Sequence, residues 1–146
     1  MFKLLKFLLN VVIYIAVVVG LVWGLPIALS KLLKTPYPMA SITSGSMWPV
    51  LKTGDLILIQ GAKKEDIRIG DVVVWKNVNG FTIHRVVQLT DKILVTKGDG
   101  NFKEDEPVKY EDVVGKAVSV NGKYVRIPYL GFVTIATSKY AVQKND

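Results

Sequence analysis

The chain divides sharply by where its polar residues fall. From Phe7 to Ser30, 24 consecutive residues carry no charged side chain. As a helix rising about 1.5 Å per residue, that stretch is roughly 36 Å long. The hydrocarbon core of a bilayer is about 30 Å thick, so one tilted membrane span is expected. Pro26 falls near the end of the run, where a proline kinks or ends a helix. A cleaved secretory signal peptide is the competing reading. Its apolar region would be about 7–15 residues before a small-residue cleavage site, whereas this run is longer and leads into Lys34-Thr35-Pro36-Tyr37-Pro38.

Beyond this point the pattern changes. Thr35 to Pro38 disfavours helix and reads as an extended linker. Then come short runs rich in β-branched residues, bounded by turn signals: Asp55–Gln60, Asp71–Lys76, Phe81–Leu89 and Lys92–Thr96. Val78-Asn79-Gly80 carries the Asn-Gly of a type I′ hairpin between the second and third runs. Thr90-Asp91 is a short link to the fourth. Val113–Val120 and Lys123–Ile127 pair around Asn121-Gly122, and Lys63–Ile67 reads as a single helical turn. Strands at this spacing without intervening helices predict an all-β domain behind one N-terminal transmembrane helix. Three successive valines in the Asp71–Trp75 run point to burial on both faces. For Trp48, Leu51 and Trp75, which suit either core or membrane contact, core is the default.

Composition narrows the function. The net charge is +7, from 19 basic and 12 acidic residues, but Lys3, Lys6, Lys31 and Lys34 flank the apolar run. The remaining 15 basic and 12 acidic residues balance to +3, so the basic character is no footprint of nucleic-acid binding. The flanking lysines suit anionic headgroups and, being balanced, do not orient the span. With no cysteine there is no disulfide framework, thiol nucleophile or thiolate metal site. Neither a metal nor a cofactor is expected. About 110 residues follow the anchor, enough for one compact domain.

Ser44-Gly45-Ser46 closely follows the anchor. A serine needs a base within reach and fixed donors for the oxyanion it creates. The backbone N–H of Ser46 and the hydroxyl of Ser44 are candidate oxyanion donors. Taken alone, a Ser-Gly-Ser turn is most often just a turn. His84 is the single histidine. It lies mid-strand, where a structural role competes with that of a base working near neutral pH. Asp99, in Lys97-Gly98-Asp99-Gly100-Asn101, and Asp105, in Glu104-Asp105-Glu106, are carboxylates able to orient an imidazole. A solvated loop is the plainer reading of that region.

The order of these pieces matters more than any one of them. Ser44-Gly45-Ser46-Met47-x-Pro49, Lys52-x-Gly54-Asp55, Ile69-Gly70-Asp71-Val72-Val73, His84-Arg85-Val86, and Thr96-Lys97-Gly98-Asp99 with Asp105 closely resemble signal peptidase I. The resemblance covers roughly residues 40–118 and the N-terminal anchor, and implies mixed β-sheets for the all-β domain. One branch of that family uses a lysine base. The archaeal and endoplasmic-reticulum branch has histidine at the place corresponding to His84, and this chain is similar to the second.

By that resemblance, Ser46 is the nucleophile, His84 the general base and Asp105 the acid completing the triad. Asp99 is a second acid important for activity, and Ser44 contributes to the oxyanion hole. The stretch between Asp99 and Asp105 is variable, which leaves the division of labour between them open. The resemblance implies an endopeptidase that removes signal peptides from preproteins, bound in extended form beside Ser41–Ser46 and the His84 strand. Residues 1–34 would be the anchor and 35–146 an extracytoplasmic peptidase domain, on a prokaryotic plasma membrane rather than the endoplasmic reticulum. The lipid bilayer is an expected partner and nucleic acid is not. Accessory subunits cannot be inferred from this chain.

Some relatives end in a second span, for which Phe132–Thr137 is too short. Two alternatives remain: a non-catalytic membrane-tethered β-module acting as a binding or assembly subunit, and a self-cleaving peptidase of the repressor type. The latter uses lysine and a DNA-binding arm, and the anchor argues against it.

Overall fold

The structure is a computed structural model and describes residues 2–136. Its first feature is a continuous helical stretch of 31 residues, Phe2–Leu32, apolar and long enough to cross a membrane and unburied along its most apolar part. At 1.5 Å per residue it measures about 46 Å, enough to cross the hydrocarbon core and emerge from it. It consists of α1 (Phe2–Val19), a π-helical turn (Gly20–Gly24) and α2 (Leu25–Leu32). Pro26 does not end the helix as its position suggested. A proline ring conflicts with the carbonyl four residues earlier, here Val22, and Val22 lies in the widened π turn.

The regular structure of the rest of the described chain is mainly strand: β1 (Met39–Ser41), β2 (Leu56–Gln60), β3 (Val72–Asn77), β4 (Gly80–Leu89), β5 (Ile93–Lys97), β6 (Val108–Lys109), β7 (Val113–Ala117), β8 (Ser119–Val120), β9 (Lys123–Tyr124) and β10 (Arg126–Ile127). Eight form one sheet in the order β1-β2-β7-β3-β4-β5-β6, with β10 also beside β2, while β8 and β9 make a separate hairpin. Neighbouring strands are antiparallel throughout the described residues, so the sheets are not mixed as expected; tight turns and short loops join most successive strands, which favours antiparallel pairs. The short β1 and β6 lie outside the predicted runs. The expected strand Val113–Val120 is divided in two, and so is Lys123–Ile127. Asn121 and Gly122 both have positive φ, as a type I′ turn requires. Val78-Asn79 turns differently: only Gly80 is left-handed, and Asn77 Oδ1 accepts the Asn79 N–H at 2.8 Å. Lys64–Asp66 is the predicted single turn, in 3-10 form.

Two strands begin with the same device. In Lys52–Asp55 and Arg68–Asp71 the glycine is left-handed, at φ 89° and 94°. The aspartate carboxylate accepts the N–H three residues back, at 2.9 and 3.0 Å. This reciprocal closure delivers the chain into β2 and β3 at fixed angles.

The three valines of β3 serve two cores. Val72 and Val74 pack with Ile42, Met47, Leu51, Ile57 and Ile59, and Val73 packs on the other face with Ile67, Val86, Leu94 and Val108. Each such side chain, fully buried, contributes about 1.5–3 kcal/mol, so a single polar residue in this strand would weaken one layer or the other. Leu51 is wholly buried and Trp75 packs against the second core, but Trp48 stands 60% exposed, against the core default.

The junction of helix and sheet is fastened rather than slack. The Gly61 N–H donates to Leu33 C=O at 2.7 Å, and Ile59 N–H to Pro38 C=O at 2.9 Å. Thr35 is buried, and its hydroxyl donates to Val114 C=O at 3.4 Å. A Cβ on Gly61 would stand 2.1 Å from Lys34 O, so only glycine admits this approach.

Candidate active site

A cavity of about 610 Å³ opens between β1 and the first half of β4, with Ser44, Ser46, His84 and Asn101 at one end. Its floor is apolar, built from Ile42, Met47, Ile59 and Val74, all nearly inaccessible. From Gly80 to His84, β4 pairs only with β3, because its register with β5 begins at Arg85. The other backbone edge of that stretch therefore faces the cavity, as does the edge strand β1.

His84 is 7% exposed, yet it lines the cavity. Its Nδ1 lies 2.6 Å from Asp105 Oδ2. The same carboxylate oxygen accepts the Thr96 hydroxyl at 2.6 Å, and Asp105 N–H donates to Thr96 C=O at 2.8 Å. Because a carboxylate only accepts, Nδ1 carries the ring proton and the Nε2 lone pair remains for another partner.

Ser46 lines the same cavity. Among the described residues its hydroxyl has one side-chain partner, the Ser44 hydroxyl at 3.1 Å. The Ser46 N–H reaches the Ser44 oxygen at 3.4 Å, a long and readily exchanged bond. The loop itself is pinned from two sides. Met47 and Leu51 enter the core below it, and Gly100 N–H donates to Ser46 C=O at 2.8 Å. A Cβ on Gly98 would approach Ser46 O to 2.6 Å, and one on Gly100 would approach Gly45 O to 3.0 Å.

Asp99 does not join the ring. Its two oxygens accept Arg85 Nε and Nη2, both at 2.7 Å. Arg85 Nη1 continues to Gly70 C=O at 2.7 Å and the Tyr124 hydroxyl at 2.9 Å. The Asp99 hydrogen bonds raise the Arg85 pKa above its already high ordinary value, against burial, which lowers it. Asp99 thus ties the Gly98–Asn101 turn, which presses on the serine loop, to the residue following His84.

Thr96 and the Arg85–Tyr124 contact were not anticipated as parts of the site. The one available signal for Thr96 was a hydroxyl in an otherwise apolar strand, since buried polar groups require a partner. No cluster of three or more metal-ligating side chains occurs among the described residues.

A strand-edged cleft with serine on one lip, a carboxylate-backed imidazole on the other and an apolar helix in front is the frame of a membrane-bound serine peptidase. Comparison with known proteins agrees with that class. No protein-family model matches the chain. In a 129-position alignment that covers 77% of this chain and 70% of the other, it is 34% identical to the signal peptidase complex catalytic subunit sec11 of Pyrenophora tritici-repentis. It is 32% identical over 122 residues to the subunit of the same name from Sclerotinia sclerotiorum, covering 73% of this chain and 67% of that one. With signal peptidase complex catalytic subunit SEC11C of Homo sapiens it shares 34% identity in a 119-position alignment that covers 70% of this chain and 58% of that protein. The chain belongs to the signal peptidase I family.

Proposed function

We propose that the protein is a membrane-bound serine endopeptidase that cleaves signal peptides from preproteins, with Ser46, His84 and Asp105 as its catalytic residues. The observation that carries this reading is the His84–Asp105 contact at 2.6 Å inside the cavity that Ser46 also lines. The substrate lies extended between the open edges of β1 and β4, pairing its backbone with theirs. Its side chains meet a floor of Ile42, Met47, Ile59 and Val74, shallow enough to favour small residues near the cut.

Ser46 Oγ attacks the scissile carbonyl while His84 Nε2 takes its proton. Asp105 holds the ring in the Nδ1–H tautomer and stabilises the imidazolium. The Ser46 N–H and the Ser44 hydroxyl turn from each other to the oxyanion, a small movement given their 3.4 Å separation. The imidazolium then protonates the leaving amine, and water, activated by the neutral ring, releases the acyl-enzyme. Asp99 serves this chemistry through Arg85 and the turn behind the serine loop.

Residues 1–34 act as anchor and 35–146 as the peptidase domain, which we place on the extracytoplasmic face, where the cut end of a translocated preprotein emerges. Tethering there raises the effective concentration of substrate. The relatives are subunits of a signal peptidase complex, which supports partner subunits for this chain as well. They give no support to a prokaryotic plasma membrane, and the proposal does not extend to it.

The reading is tested with the full chain in detergent, a preprotein substrate and the Ser46→Ala variant. Cleavage by wild type and none by Ser46→Ala is expected. Equal processing by both would remove Ser46 as nucleophile.

A further inference from the structure

The cavity extends beyond the catalytic groups, and its far end is aromatic. Tyr37, from the segment leading into β1, and Phe81, near the start of β4, line it with ring centroids 4.9 Å apart at 60°. They are 38% and 50% exposed, so each keeps apolar surface in contact with solvent. The two rings come from opposite walls of the cleft and close it. Lys76 holds its ammonium 5.4 Å from the Tyr37 ring and 6.0 Å from that of Phe81.

The sheet order fixes direction. Four antiparallel pairings separate β1 from β4, so both strands run the same way, from the aromatic end toward Ser46 and His84. Phe81 precedes His84 by three residues, about 10 Å of extended strand. An extended substrate with its scissile carbonyl at Ser46 therefore brings the residue about four to six positions from the cut onto the rings. Tyr37 also lies only five residues beyond Leu32, where the membrane helix ends. That end of the cleft is the one nearest the anchor's exit from lipid, and it suits the part of a substrate upstream of the cut.

We propose that Tyr37 and Phe81 form a specificity subsite for a large apolar side chain four to six residues before the cleavage point, and that Lys76 disfavours a basic residue there. The inference rests on the peptidase reading above. Apolar surface of the substrate covers ring surface that is otherwise wet, and a lysine in the same place meets the Lys76 ammonium without a counter-charge from the rings.

The test uses the full chain in detergent with preproteins carrying Leu, Asn or Lys at four, five or six residues before the cut, read as kcat/KM ratios between substrates. Wild type should favour Leu over Asn by roughly tenfold at one of these positions, the lower end of what one apolar contact contributes, with Lys below Asn. Phe81→Ala and Tyr37→Ala should each bring the Leu/Asn ratio to within about twofold of unity, chiefly through KM. Phe81→Leu should restore the ratio. A structural role alone would lower cleavage of both substrates and leave the ratio intact, and that result overturns the subsite. So does a preference that maps to residues after the cut. Failure of wild type to cleave any of the preproteins, or equal cleavage by Ser46→Ala, would instead refute the peptidase reading and the subsite with it.

Discussion

Asp99 faces Arg85, not His84. Both its carboxylate oxygens accept guanidinium hydrogen bonds at 2.7 Å, while the imidazole is held by Asp105 at 2.6 Å. Two acids six residues apart are thereby given different work, one on the ring and one on the scaffold behind the serine.

Substituting the two aspartates should separate these roles. Asp105→Asn replaces the accepting carboxylate with a neutral amide whose N–H2 can face Nδ1 and favour the wrong tautomer, and should lower kcat on the order of 10²–10⁴-fold, with a small change in melting temperature. Asp99→Asn removes the charge partner of a partly buried guanidinium and should cost about 1–3 kcal/mol of stability, a drop of several degrees, with the smaller kinetic defect. Thermal melts and single-turnover cleavage on the same preparations would decide. A larger kinetic loss from Asp99→Asn would reverse the assignment.

Thr96 gives a finer test. Its hydroxyl donates to the very oxygen that faces His84 Nδ1. A hydrogen bond to a charged group contributes about 1.5–3 kcal/mol. Thr96→Val keeps the shape and removes the donor, so kcat should fall roughly tenfold or more while Thr96→Ser largely retains it. Equal rates for Thr96→Val and wild type would reduce the hydroxyl to packing.

The pH profile follows from a base that must be neutral to accept a proton. Processing should decline on acidification, because a protonated imidazole has no lone pair with which to take the serine proton. A rate that rises only at strongly alkaline pH would indicate a lysine base such as Lys97. The Arg85 brace should contribute nothing to this profile from its own ionisation. Its pKa is raised by folding, so the associated stability is complete below the ordinary arginine value and is lost only as pH climbs through the still higher folded one. A constant melting-temperature difference between wild type and Arg85→Lys from pH 6 to 9 is the expected observation.

Gly98 tests the brace sterically. An added methyl would meet Ser46 O at 2.6 Å, and that atom belongs to the backbone and cannot swing away. Gly98→Ala should displace the nucleophile loop and lower kcat by at least tenfold, while Gly45→Ala, where a Cβ meets nothing within 4 Å, should be mild by comparison. The same preprotein assay ranks the two.

What the amino-acid order made legible was mostly local. The valine run announced burial on two faces, and β3 does divide its valines between two cores. The membrane helix followed from length alone. The Asn-Gly dipeptide at Asn79 misled because Asn77 captured the turn with its own side chain, a competition of local hydrogen bonds that composition does not rank. Trp48 was misjudged because an exposed indole beside a pinned loop leaves no trace in periodicity. Short strands such as β1 and β6 escaped because two or three residues carry no pattern. At the site, Ser46 and His84 stood out as residue types able to do chemistry, whereas which aspartate meets His84 and which meets Arg85 depended on where β5 ends and on which neighbour each loop meets.

One joint has a mechanical effect. Leu33 and Thr35 are fastened to Gly61 and Val114 by hydrogen bonds, and the glycine leaves no room for slippage. The helix and the β-domain therefore lean together. A span longer than the hydrocarbon is thick tilts to fit, and through this joint the cleft tilts with it.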